Sequence, residues 1–177
     1  MQLRGVVLVE GTSDRRAVET LARRRGLDLE AAGVAVVPMG GYGNLPRLLG
    51  QYSDVRLAGL YDVGEERHFL RAFGCDDRGE LERVGFYACT RDLEEELTRA
   101  VGPSGMKRVL AKQGELRAFR TYQKQPAHRA RPLEEQLHGF MWNRKQRYAV
   151  LLVEALDLAR VPRPLDRVLA HVRETTG

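Results

Sequence analysis

The sequence predicts an α/β domain in which a parallel sheet of about four strands is flanked by helices and followed by a helical extension. Three observations predict it. Short aliphatic runs without a polar face, such as Val6-Val7-Leu8-Val9 and Val34-Ala35-Val36-Val37, read as strands buried on both sides. Through residues 6–102 such runs alternate with segments of helical periodicity, the pattern of parallel strands joined by helical crossovers. From Gly102 the texture becomes predominantly helical and basic. A chain of 177 residues suits one such domain with a small appendage and is too short for two full domains. The expected division is a core over 1–102 and a basic helical extension over 103–177 packed on it.

The first strand, residues 6–9, ends in Glu10, and Gly11 lets the chain turn. Ser13 or Asp14 is the expected cap of a helix over 15–25 with Ala17, Val18, Leu21 and Ala22 on one face. Gly26 stops that helix, and 34–39 is the second strand. It runs into Gly40-Gly41-Tyr42-Gly43-Asn44, a tight turn with Asn44 as expected cap of a helix over 45–52 and Pro46 in its first turn. Gly40, Gly41, Gly43 and Asn44 thus form a candidate phosphate-holding turn. The third strand, 56–61, ends in Asp62, and Val63-Gly64 turn the chain into Glu65, Glu66 and an apolar-periodic stretch with Phe69, Leu70 and Phe73. Residues 74–79 read as a polar loop, 84–90 as the fourth strand, and 92–97 as the acidic start of another helix. Pro103-Ser104-Gly105 reads as a break. A helix over 148–158 and a short one over 165–172 close the chain, each with an apolar face.

A formal net charge of +5 and a sequence pI near 9.5 lean toward a polyanionic partner. The excess sits in the extension, where Lys107, Arg108, Lys112, Arg117, Arg120, Lys124, Arg129, Arg131 and Arg144 are interleaved with Phe119, Tyr122 and Trp142, a candidate nucleic-acid surface. Two cysteines without CxxC spacing argue against a disulfide framework or a zinc site and suit a reducing, cytoplasmic setting. No apolar run approaches the roughly 20 residues that span a bilayer, and a signal peptide is not expected because Val9 is followed at once by Glu10.

Ends of parallel strands are where open α/β sheets bind ligands. Glu10, Asp14, Asp62, Asp92 and Glu94 are expected along that one edge. Crowded carboxylates cannot all stay ionised in a partly dry site without a positive companion. An all-oxygen donor set favours Mg²⁺ or Mn²⁺, one or two ions, which keep some waters and are completed by substrate phosphate.

The Glu10-Gly11-Thr12-Ser13-Asp14 stretch, followed by a strand ending in Asp62-Val63-Gly64-Glu65-Glu66, resembles a TOPRIM domain. With the Gly40–Asn44 turn, Asp92-Leu93-Glu94 and Arg144-Lys145, it most resembles the TOPRIM domain of OLD-family nucleases, over most of the chain. The resemblance implies a metal-dependent nuclease that nicks or cuts DNA. It implies Glu10 and Asp14 as ligands at one metal, Asp62 at the other, Asp92 and Glu94 completing the site, and Lys145 stabilising the scissile phosphate. The chain departs from the family in two respects. The usual Asp-x-Asp has Gly64 at its second acid, leaving Glu65 or Glu66 as the substitutes. OLD proteins also join an ATPase to this domain, and the chain has no P-loop, so any ATPase acting with it is expected on another chain. A metal-lapsed nucleic-acid-binding module and an RNA-processing TOPRIM nuclease are the alternatives.

Overall fold

The computed structural model describes residues 3–173. The outer ends of the expected core and extension, residues 1–2 and 174–177, lie outside the described residues. Four parallel strands, β1 (Gly5–Val9), β2 (Val34–Pro38), β3 (Arg56–Asp62) and β4 (Phe86–Cys89), form one sheet in the order β2-β1-β3-β4. Val7 pairs with Val36 on one side and Ala58 on the other. Tyr61 pairs with Ala88 and Asp62 with Cys89. Every strand therefore points its carboxyl end the same way.

Both faces of the sheet are covered, which is why the strands lack a polar side. Val7 and Val9 pack with α1 (Thr12–Arg24), α5 (Leu93–Lys112), α8 (Lys145–Ala155) and α9 (Arg163–Arg173) through residues such as Leu21, Leu97, Leu152 and Val168. Val6 and Leu8 face the opposite core, where Met39 and Phe86 meet Leu45 and Leu48 of α2 (Leu45–Gln51), Phe69 of α3 (Glu66–Phe73) and Leu81 of α4 (Arg78–Arg83). The remaining helices, α6 (Leu116–Lys124) and α7 (Leu133–Met141), add Phe119, Leu137 and Met141 to the first core. At Gly59 the strands come so close that a β-carbon would lie 2.5 Å from the Phe86 ring and 2.7 Å from the Leu8 carbonyl oxygen.

Several local expectations are revised. Gly11, not Ser13 or Asp14, is the N-cap of α1; Asp14 sits in the first turn and its carboxylate accepts the Gly11 N–H at 2.9 Å. Asn44 holds the N-cap position of α2 as expected, but its side chain makes no capping hydrogen bond. Its side-chain amide instead donates to the Met39 carbonyl at 2.9 Å and holds the glycine turn closed. The expected loop over 74–79 ends in α4, whose N-cap Asp77 accepts the Glu80 N–H at 2.9 Å. The break expected at Pro103-Ser104-Gly105 is present one residue earlier and divides α5. Gly102, at φ 70°, kinks it, and Pro103 opens the second half, where a missing N–H costs little. The helix expected from Tyr148 begins three residues earlier, at Lys145.

Helices α1 and α8 lie side by side in the same direction. The Arg24 guanidinium, at the end of α1, donates to the carbonyls of Val153 at 2.7 Å and Leu156 at 2.8 Å, closing the carboxyl end of α8. The opposite end of α8 is thereby brought beside the start of α1.

Candidate metal and phosphate site

The carboxyl edge of the sheet collects the acids. Glu10 follows β1 and is exposed. Asp14, one turn into α1, is only 9% exposed. Asp62 ends β3, and Glu65 lies in the short 3-10 turn that follows, Val63–Glu65. Asp92 follows β4 as the N-cap of α5, accepting the Glu95 N–H at 2.8 Å. Glu94, in the first turn of α5, is 5% exposed, and its Oε1 is buried without a hydrogen-bond partner.

The cation among them comes from α8. Lys145 Nζ lies 3.8 Å from Glu94 Oε2 and 3.9 Å from Asp92 Oδ2. It also sits over the indole of Trp142, 4.2 Å from the ring centroid. The starts of α1, α5 and α8 all converge here, so helix-dipole ends add partial positive charge to that of the lysine. Sequence reasoning missed His138. Its Nε2 is 2.7 Å from Asp92 Oδ2, so α7 fixes the orientation of that carboxylate.

Charge crowding is visible in the acidities. Burial, then the charges of Glu94 and Glu10, raise Asp14 from 3.8 to about 7, against the opposing pull of the Gly11 N–H and Lys145. Burial and the charges of Glu10, Asp92, Glu65 and Asp14 raise Asp62 to about 8. Glu65 is also pushed up, by burial and by Glu10. Asp92 moves the other way: burial would raise it, but the hydrogen bonds from His138 and the Glu95 N–H, with the charge of Lys145, hold it below its usual value.

Residues 3–58 match the family model described as the overcoming lysogenization defect protein-like TOPRIM domain. The C-terminal region of the Burkholderia pseudomallei OLD protein superposes with a TM-score of 0.76 at 18% identity, covering 100% of both chains. The C-terminal region of the Xanthomonas campestris pv. campestris OLD protein gives 0.75 at 22% identity, covering 98% of this chain and 94% of that one. The fold is an OLD-like TOPRIM fold. No curated protein matches the chain. Glu10, Asp14 and the glycine turn fall inside the TOPRIM family match, whereas Asp62, Asp92, Glu94 and Lys145 lie beyond it.

Other expected site residues of the TOPRIM domain fall in different places. Glu66 is drawn away: its Oε2 accepts from the Tyr61 hydroxyl at 3.1 Å and from Arg78 at 2.5 Å. Gly64 is exposed on the 3-10 turn, with open space where a side chain would start. In the glycine turn the Gly40 N–H already donates to the Glu10 carbonyl at 3.0 Å and the Asn44 N–H to the Gly41 carbonyl at 3.2 Å, while Gly41 and Gly43 carry no side chain into the space. Lys107, Arg108, Lys112, Arg117, Arg120, Lys124, Arg129 and Arg131 are all exposed on α5, α6 and the connection to α7. Arg144 is instead paired with Glu115 at 2.9 Å, beside Arg147 and Tyr148 on the same carboxylate.

The donor set of this edge fits a hard divalent cation. Its side chains are carboxylates, two are raised by burial and by the charges of neighbouring acids, and Glu94 Oε1 is a buried acceptor with nothing to accept. Among the described residues no three His, Cys, Asp or Glu side chains are drawn together closely enough to hold an ion by themselves.

Proposed function

We propose that the chain is a Mg²⁺- or Mn²⁺-dependent nuclease that cleaves DNA phosphodiesters. The observation that carries this reading is the placement of Lys145 within 4 Å of Asp92 and Glu94, on an edge where burial and the charges of neighbouring acids raise Asp14 and Asp62. Glu10 and Asp14 would hold one ion, Asp62 the other, and Asp92 with Glu94 would complete the set. Glu65 is the substitute for the acid missing at Gly64. When bound, the divalent ion supplies an activated water and neutralises charge on the phosphate.

The chain's own residues do the rest. Glu10, exposed at the strand end, is free to take the proton of an attacking water. Lys145, already compensating two carboxylates, offers its ammonium to the negative charge that builds on the phosphate during in-line displacement. His138 holds Asp92 in place. The exposed cations of α5, α6 and the following connection would track the backbone of the polyanion. An ATPase is the companion that the family resemblance suggests, and the free Cys75 and Cys89 suit a reducing, cytoplasmic setting. No helix among the described residues is long and apolar enough to cross a membrane.

The test is nicking of supercoiled plasmid with Mg²⁺, Mn²⁺ or chelator, with Glu10→Ala and Asp62→Ala alongside. Metal-dependent nicking that disappears in both variants is expected. Nicking by both variants at the parental rate would overturn the site. The open position at Gly64 favours one second reading, a binding module whose metal site has lapsed. Salt-sensitive DNA retention without nicking in either metal would establish it, and preferential cleavage of structured RNA would redirect the substrate.

A further inference from the structure

Of the five Phe, six Tyr and one Trp in the chain, only Tyr42 and Trp142 are exposed, at 41% and 57%. Both stand at the carboxyl edge of the sheet. Trp142 lies on the Lys145 ammonium, which itself meets Asp92 and Glu94. Tyr42 belongs to the glycine turn after β2, a turn tied to Glu10 through the Gly40 N–H. Its ring is stacked on His68 of α3, centroids 3.9 Å apart and planes at 17°. Tyr42 follows β2 on this edge, and Trp142 stands with Lys145 at the start of α8, beside the start of α1 and near Asp92.

Aromatic area left in water beside a phosphate site has a specific use. A base stacked on an aromatic ring gains roughly 1–3 kcal/mol without regard to its identity, because every base has a π-face. Bases inside a duplex have both faces occupied, so only an unpaired base can take up such a ring. Lys145 covers one side of the Trp142 indole and leaves more than half of the residue in solvent. A base stacked there would bring its phosphate toward the lysine and the acids.

We propose, resting on the nuclease reading above, that the site takes a polynucleotide strand with unpaired bases, one base stacking on Trp142 beside Lys145 and another on Tyr42 of the glycine turn. Trp142 is the only tryptophan, so its emission reports on its own ring.

The experiment titrates the full chain, in chelator to stop cleavage, with an oligo-dT of about 12 nucleotides, its abasic counterpart, an oligo-U of equal length and a duplex. Oligo-dT is expected to quench the emission. Trp142→Ala is expected to bind it about ten-fold more weakly, about 1.4 kcal/mol, and Trp142→Phe to retain most of the affinity. The abasic strand should bind the parent about as weakly as oligo-dT binds Trp142→Ala, and Tyr42→Ala should weaken oligo-dT as well. Equal binding of oligo-U would support the stacking mode and show that the sugar is not read. Unchanged emission, or equal affinity of the parent for the abasic strand and oligo-dT, would overturn the proposal. Plasmid nicking run in parallel separates the two readings. Quenching without metal-dependent nicking would support base stacking on Trp142 and remove the nuclease, whereas Glu10-dependent nicking with unquenched Trp142 would do the reverse.

Discussion

Replacing Asp14 by Asn should stabilise the metal-free protein at alkaline pH. Asp14 is nearly buried beside Glu94 and Glu10, and its acidity is shifted from 3.8 to about 7. At roughly 1.36 kcal/mol per pH unit the whole shift corresponds to about 4 kcal/mol of penalty on the ionised form. Water entry and side-chain relaxation return part of it, so a gain of about 2 kcal/mol is expected, a rise in Tm of roughly 4–8 °C. Asn keeps an oxygen for the Gly11 N–H that Asp14 now accepts. The pH dependence has a definite sign. A carboxyl raised in the folded state stabilises fully below its unfolded value of 3.8, and that contribution is lost as pH rises to about 7. The variant should therefore gain on the parent between pH 4 and pH 7 and hold the difference at pH 8. Calorimetric melts in chelator at pH 4 and pH 8 measure it, and Mg²⁺ should then stabilise the parent more than the variant. A variant no more stable than the parent at pH 8, or a difference that does not change with pH, would refute the crowding of charge at this edge.

Gly64→Asp should raise Mg²⁺ affinity about ten-fold, because the added side chain starts in open space next to Asp62; titration calorimetry reads it, and unchanged affinity would show that Glu65 already fills the role. Gly59→Ala should cost about 1–3 kcal/mol by overpacking, since the new methyl meets the Leu8 carbonyl and the Phe86 ring; urea unfolding measures it. Charge removal at Lys107, Arg108 and Lys112 should weaken DNA binding for every sequence and reduce the salt slope by about one for each phosphate left unneutralised. A binding isotherm series in NaCl checks this, and an unaltered slope would mark those residues as solvated surface only.

The sheet was legible because strands covered on both faces leave continuous apolar runs, so Val6 to Val9 could have had few other roles. Helix α4 was not, since six residues burying a single side chain, Leu81, carry no readable period. Asn44 has the composition of a cap, and only the closed turn shows its amide spent on Met39. The acids could be placed along one edge because each follows a strand of the same sense. Which basic residue meets them could not be read locally: Lys145, not Lys112 or Lys124, is set there by the pairing of α1 with α8, and that pairing depends on contacts such as Arg24 with Val153. His138 carries no motif at all, and its meeting with Asp92 is a product of where α7 packs.

The parallel alignment of α1 and α8 also bears on the order in which the molecule is made. Glu10, Asp14, Asp62, Asp92 and Glu94 have all been synthesised long before Lys145. Until α8 lies along α1, the growing edge holds negative charges that repel one another and lacks the ammonium that offsets them. The last-made helices thus close the charge balance of the first-made strands, and a nascent chain that has stopped short of residue 145 lacks the lysine with which the finished edge would grip a phosphate.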